Sequence, residues 1–359
     1  MYVKELSIEG FRNYEAERFT FSPGTNMIYG NNAQGKTNAL EAVYLFSIGR
    51  SFRTQQDREL IRFGNDQMRI SVLFENSMRE NEIEIVLRRD RKKQIKINGV
   101  PIQKMGELIG LFTVVLFSPD ELNLTKGSPN ARRRFLDIAV SQMRPKYYHV
   151  LRKYNKILDQ RNNLIKKLRF SEDTTLKDTL SVWNEKLAEY GMTVIQYRQT
   201  FVDSLKAFSK KIHYEISNEE FEIQYKPAFE TKEQFLQKLS TSLSKEIEQG
   251  FTLYGPHRDD LDFTTDGKDI KVYGSQGQHR SAVLALKLAQ ADMIFEDMGE
   301  YPVLLLDDIM SELDGARRAY LTEKIKNKQV IITCTDADDF SAGNLSKRIH
   351  VDNGKIVSN

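Results

Sequence analysis

The sequence predicts an α/β protein with an inserted, mainly helical domain, and three stretches carry that prediction. Gly30-Asn31-Asn32-Ala33-Gln34-Gly35-Lys36-Thr37 spells a complete G-x-x-x-x-G-K-T phosphate loop. It lies between a short apolar run, Asn26–Tyr29, and a segment of good helix formers, Asn38–Phe46, which is the strand–loop–helix context the motif requires. Val303-Leu304-Leu305-Leu306-Asp307-Asp308 is a buried-strand pattern ending in two carboxylates. Between these, from about Ser128 to Tyr214, the pattern turns helical.

Taken in order, Tyr2–Ile8 alternates like a strand, Arg18–Phe21 is a second candidate, and Pro23-Gly24 turns the chain into the strand before the loop. Met68–Phe74, Glu82–Leu87 and Gln94–Ile97 read as strands, the last followed by the hairpin signal Asn98-Gly99. Thr113–Phe117 is β-branched and apolar, as a buried strand would be. The helical segments are Arg134–Met143, Tyr147–Leu168 and Leu180–His213, too short and too sparsely apolar for a long coiled coil. In the second of them Leu151, Tyr154, Leu158 and Ile165 share a face. Ser217–Glu246 reads as a looser polar region, and Ile270–Tyr273 as a short strand. Gly274-Ser275-Gln276-Gly277-Gln278 opens an amphipathic helix, His279–Asp297; a helix at Gly315–Lys326 and a β run at Gln329–Cys334 follow. The expected division is a discontinuous α/β head, residues 1–118 and 247–359, with a helical insertion at 119–246.

With 40% hydrophobic and 29% charged residues in 359, the chain has a globular composition. A single cysteine excludes a disulfide framework and a cysteine-based zinc site, and the five histidines have no metal-ligand spacing. No apolar run reaches transmembrane length and the N-terminus lacks a signal peptide's apolar core, so a cytoplasmic location is expected. The net charge of +3 conceals an asymmetry. Between Ala131 and Phe170 twelve Lys/Arg face only Asp137 and Asp159. Such a concentration points to a polyanion. Arg132, Arg133, Arg134, Arg152, Lys153 and Lys156, interleaved with Tyr147, Tyr148 and Tyr154, are the candidate contacts to a DNA backbone. Nothing resembles a base-reading module, so the expected binding depends on DNA structure, such as a duplex, a gap or a junction, rather than on sequence.

The loop chemistry follows from residue types. Gly30 and Gly35 let the backbone of Asn31, Asn32, Ala33 and Gln34 turn its N–H groups inward at a helix N-terminus, an anion nest. Lys36 would reach the β- and γ-phosphates of a nucleoside triphosphate, and Thr37 would hold Mg²⁺ just before Asn38. Asp307 is placed to share that Mg²⁺, and Asp308 to orient or deprotonate the attacking water. Ser275, Gly277 and Gln278 form a second anion site from N–H groups, a hydroxyl and a helix dipole. Two phosphate cradles suit one nucleotide only if the second serves a nucleotide held by another subunit.

The order phosphate loop, helical insertion, S-x-G-Q turn, acidic strand and Ser311-Glu312-Leu313-Asp314 resembles ABC-type ATPase heads, including the SMC proteins. Within that superfamily the chain is most similar to the RecF family of bacterial recombination mediators. The resembling blocks are Gly10-Phe11-Arg12-Asn13-Tyr14, Gly30–Glu41, Ser51-Phe52-Arg53-Thr54, Leu116–Asp120, Arg132–Asp137, Tyr254–Leu261 and Leu304–Asp314, in order along the whole chain. The resemblance implies an ATP-gated homodimer with nucleotides sandwiched between protomers. Ser275 and Gly277 would then contact a γ-phosphate across the interface, Asp314 would lie near the partner's phosphate loop, and Arg12 and Asn13 would touch nucleotide. It further implies ATP-dependent DNA binding in recombinational repair and replication restart in the bacterial cytosol, at the nucleoid, with RecR and RecO assisting RecA loading. The departures are Gln276 for the first glycine of S-G-G-Q, Ser118-Pro119-Asp120 for the Q-loop glutamine, Asp308 for Glu, and Thr333 or Thr335 for the switch histidine. They imply slow hydrolysis, which suits a switch better than a motor, and the resemblance implies that DNA stimulates it. Two other readings fit part of the pattern: the ATPase subunit of a transporter, and a non-enzymatic SMC-like DNA clamp.

Overall fold

The computed structural model describes residues 1–170, 174–336 and 345–357. By its contacts the chain forms two compact units. The first comprises Met1–Leu122, Lys211–Asn218 and Arg280–Asn359, the second Asn123–Lys210 and Glu219–His279.

The first unit holds two six-stranded sheets. One is antiparallel, with Tyr2–Phe11 central between Tyr14–Thr20 and Gln67–Glu75, then Glu80–Arg88, Gln94–Ile97 and Val100–Pro101. The other runs Lys355–Val357, Leu345–Asp352, Thr25–Tyr29, Val330–Cys334, Val303–Asp307, Val114–Phe117, and all but the first of these strands are parallel. The helix Lys36–Ile48 shares one apolar core with both sheets: Leu6, Ile8 and Ile70 of the antiparallel sheet, Leu40, Val43 and Phe46 of the helix, Leu305 and Ile331 of the parallel sheet. A helix sandwiched this way is buried on most of its faces and largely apolar: ten of its thirteen residues are buried, with Lys36, Glu41 and Ser47 the polar ones among them. The parallel strands place Gly30 and Asp307 at their carboxyl ends, where α/β sheets bind ligands.

In the second unit the helices Pro129–Met143 and Pro145–Leu168 each begin with a proline in the first turn, which extends both ahead of their expected starts. The face of Pro145–Leu168 that is buried carries Tyr147, Tyr154, Ile157, Arg161, Ile165 and Leu168, while Leu151 and Leu158 are only half-buried. The stretch expected to be loose is ordered: a strand, Phe221–Lys226, then helices Lys232–Thr241 and Leu243–Gln249. A reciprocal cap between Thr231 and Gln234 starts the first of those helices. Ile270–Tyr273 is a helical turn rather than a strand, because the Asp269 carboxylate accepts the Lys271 N–H at 2.8 Å.

This unit buries cations. Arg161 is fully inaccessible and donates to Glu246 (2.6 Å), Asn184 (2.7 Å) and Thr252 (2.6 Å). Removing one partner of such a pair strands the other charge, so Arg161→Met is expected to cost about 3–5 kcal/mol in urea unfolding. The double variant Arg161→Met/Glu246→Leu should lose less, because no uncompensated charge remains.

Candidate functional site: a nucleotide centre on the parallel sheet

The loop after Thr25–Tyr29 holds two glycines that no other residue could replace. Gly30 sits at φ 147°, where a Cβ would lie 2.2 Å from the Val351 carbonyl of the neighbouring strand. Gly35 sits at φ 118°, with Asn13 2.8 Å and the Tyr14 hydroxyl 3.0 Å from the place of a Cβ. Gln34 is clamped from outside: its carbonyl accepts Asn13 Nδ2 (2.8 Å) and the Gly354 N–H (2.9 Å). Asn31, Asn32 and Ala33 stay exposed at the crest, Ala33 in the left-handed region at φ 65°. The Lys36 ammonium is buried and donates to the Gly30 (2.5 Å) and Asn31 (2.8 Å) carbonyls. Burial lowers its pKa, while the charges of Asp308 and Asp307 nearby act to raise it.

Across the sheet, the Thr37 hydroxyl donates to Asp307 Oδ1 at 2.7 Å. Thr333 faces Asp307 in parallel register; its hydroxyl also donates to that oxygen (2.9 Å) and accepts the Asp308 N–H (2.9 Å). Of the two threonines considered at the histidine's place, this one therefore ties the acidic pair together. Burial pushes the Asp307 carboxyl up, and the two hydroxyl donors oppose that. Asp308 is exposed and left-handed at φ 51°, its carbonyl accepting from Ser311 Oγ (2.8 Å). Thr333→Val keeps the shape but leaves the Asp308 N–H unpaired, so a loss of about 1–3 kcal/mol in unfolding free energy is expected. A fall in turnover should accompany it, since the backbone that carries the Asp308 carboxylate is then no longer anchored to the neighbouring strand.

The residues fit the group the loop is built for. Thr37 and Asp307 are adjacent hard oxygen donors of the kind that hold Mg²⁺, with phosphate oxygens and waters completing its shell. Among the described residues no group of three or more His, Cys, Asp or Glu is placed to hold a metal ion.

Sequence reasoning missed Glu41. Fully buried on the loop helix, it accepts Arg12 twice (Nε 2.9 Å, Nη2 2.7 Å), the Ser51 hydroxyl, and lies 3.5 Å from Arg53. Arg12, left-handed at φ 52°, is thereby held against Glu41 beside the loop helix. Asn13 is brought to the loop itself, its Oδ1 accepting Asn38 Nδ2 at 2.8 Å while its Nδ2 donates to Gln34. The signal was the recurrence of Arg12, Asn13, Ser51 and Arg53 in the resembling blocks, without a partner to explain them.

Ser275, Gly277 and Gln278 lie in the second unit at the start of the helix Gln276–Met298. Ser275 and Gln278 cap one another: the Ser275 N–H donates to Gln278 Oε1 (2.9 Å) and the Gln278 N–H to Ser275 Oγ (3.2 Å). Gln278 also donates to Glu219 (2.9 Å), so it fixes the turn, while Ser275 remains exposed. Asp314, in the first unit, caps Gly315–Lys324 by accepting the Arg317 N–H at 2.9 Å and pairs with the Arg317 side chain. These bonds hold its carboxyl below the usual range.

The expected DNA contacts need correction at Arg132. It is 2% exposed and pairs bidentately with Asp260 (2.6 and 2.8 Å), its remaining nitrogen serving the Leu124 and Gly127 carbonyls. Arg133 is half-buried on the Asp259 carbonyl (2.7 Å). Tyr147 and Tyr154 are core residues as well, bonded to Asp137 (2.5 Å) and His257 Nδ1 (2.6 Å). Arg134, Arg152, Lys153 and Lys156 are exposed, as are Arg144, Lys146, Lys166, Lys167 and Arg169. The basic segment thus keeps a cationic surface, smaller than its charge count because two of its cations point inward.

A phosphate loop, an acidic strand one strand removed, and an antiparallel sheet over the loop helix define an ABC-type ATPase head. The comparisons refine that class. A family model described as the RecF/RecN/SMC N terminal domain matches residues 2–357. The DNA replication and repair protein RecF of Acetivibrio thermocellus is 41% identical over 362 residues, covering 98% of each chain. That of Ruminiclostridium cellulolyticum is 43% identical over 357 residues, covering 96% of this chain and 95% of its own. The solved structure of the recombination mediator protein RecF with ATP, in the RecFOR pathway, superposes with a TM-score of 0.92 at 37% identity, over 99% of this chain and 97% of its own. An Smc head domain from Pyrococcus furiosus, at TM-score 0.58 and 19% identity over 100% and 96% of the two chains, shares the fold alone. The chain belongs to the RecF family.

Proposed function

We propose that the protein is an ATP-gated, homodimeric DNA-binding switch of recombinational repair and replication restart. In this reading each phosphate loop is completed by the partner's Ser275 and Gly277. The observation that carries it is the pairing of a finished phosphate loop with a second, separately capped anion turn that exposes Ser275. Gly30–Thr37 bind the triphosphate; Thr37 and Asp307 hold Mg²⁺, which when bound neutralises phosphate charge. Lys36 neutralises the γ-phosphate, and Asp308 accepts the proton of the attacking water. Closure is favoured because γ-phosphate contacts from Ser275 exist only in the dimer. Hydrolysis removes them and reopens it.

The exposed cations Arg134, Arg152, Lys153 and Lys156, joined by half-buried Arg133, take the DNA backbone. Asp314, exposed at the start of Gly315–Lys324, lies near the partner's loop in this reading. By family, RecR, RecO and RecA are the protein partners, gapped or stalled-fork DNA is the substrate, and the bacterial cytosol is the location. Family membership weighs against a transporter subunit, and loss of turnover in Asp308→Asn separates an enzyme from a passive clamp.

The test is duplex affinity with ATP, ADP and no nucleotide at two salt concentrations. Tight binding with ATP only, weakening as salt rises, is the expected result. Equal binding in all three states refutes the gating.

A further inference from the structure

We propose that the paired tips Arg62–Asp66 and Arg88–Lys93 of the first unit form a further nucleic-acid contact, in which Phe63 stacks on an unpaired base while Arg88, Arg89, Arg91 and Lys92 hold the flanking phosphates. It rests on the DNA-binding reading above and extends it to a surface outside the Ala131–Phe170 region.

The juxtaposition is built by the antiparallel sheet. Gln67 pairs with Arg88, so the loop entering one strand and the turn leaving the next share an end of the sheet. The Arg89 N–H donates to the Asp66 carbonyl (3.1 Å) and Arg89 Nε to the Asn65 carbonyl (2.9 Å), which seats one tip on the other. Arg88 Nε adds a bond to Gln67 (3.1 Å), and Lys93 anchors the far side on Asp57 and the Gly49 carbonyl, both at 2.7 Å. Arg88, Arg89, Arg91 and Lys92 nonetheless remain exposed.

The acids nearby are mostly engaged: Asp57 with Lys93, Glu15 with Arg62, Asp90 with Arg91, Glu59 with the Thr54 hydroxyl. Asp66 is an exposed carboxylate within the first tip.

On this platform Phe63 is 98% exposed, in a turn whose next residue, Gly64, has open space around it. A phenyl ring held in water among cations contributes nothing to the core. Ring and cations together are what a single strand engages, base on the aromatic face and phosphates on the charges. A duplex offers its phosphates but not its stacked base faces, so the two ligands separate the roles.

The experiment measures anisotropy of a blunt duplex and of the same duplex with a single-stranded tail, using the full chain with ATP. Phe63→Ala, at a fully exposed position, should weaken the tailed DNA about 5- to 150-fold while leaving the blunt duplex unchanged. Phe63→Tyr should restore it. Arg88→Ala/Arg89→Ala should reduce the salt dependence on both ligands. Unchanged affinity of Phe63→Ala for tailed DNA, an equal loss on both DNAs, or a Phe63→Ala defect confined to capture of a protein partner overturns the assignment. Failure of the unaltered protein to bind either DNA instead overturns the reading it rests on.

Discussion

Lys36→Ala is expected to abolish ATP-dependent dimerisation, the largest single effect in this account. The ammonium lies between the Gly30 and Asn31 carbonyls, buried at the base of the loop. No other cation in the first unit donates into that loop among the bonds described. Charge-assisted hydrogen bonds are worth about 1.5–3 kcal/mol each, so losing those to the phosphates should weaken ATP at least about 100-fold. Lys36→Arg should fail too, because a planar guanidinium does not fit where a point charge sits. Sedimentation velocity with ATP reads the dimer directly, with a melting curve without nucleotide as the control for folding. A Lys36→Ala protein that dimerises as readily as the unaltered chain refutes the coupling of nucleotide to closure.

Asp308→Asn is expected to abolish turnover while sparing ATP binding and the dimer. The position is favourable for a clean test. Asn tolerates the left-handed backbone as Asp does, and the N–H bond to Thr333 and the carbonyl bond from Ser311 do not involve the exchanged side chain. What is lost is the proposed proton acceptor, a group of the kind worth roughly 10²- to 10⁴-fold in kcat. Retained turnover removes Asp308 from the catalytic role and leaves the passive clamp as the better reading.

The chemistry at the loop was legible because it is local. Gly30–Thr37 and Val303–Asp308 each spell out strand, turn and functional group within a few residues. The longer helices were legible because their periodicity runs over many turns. Ile270–Tyr273 was not: four residues carry too little periodicity to separate strand from helix, and the Asp269 cap decides the matter. The fates of Arg132 and Arg161 were hidden for a different reason. Their partners Asp260 and Glu246 lie 128 and 85 residues away, and a charge count along the chain cannot register them. Glu41 read as one more helix former, although it gathers Arg12, Ser51 and Arg53 around the loop. The Arg88–Lys93 turn escapes a search for long basic segments, since its aromatic companion enters from the loop that precedes the partner strand.

The most direct test of the central claim, that each nucleotide site is made by two chains, is a mixing experiment. Lys36→Ala would lack a working phosphate loop and Ser275→Arg would block the turn proposed to face the partner's nucleotide, so neither variant alone should hydrolyse ATP. Mixed, they should regain turnover, because a heterodimer unites the intact loop of one chain with the intact turn of the other. No recovery on mixing, with each variant shown to be folded, or full turnover by Ser275→Arg alone, contradicts a shared site.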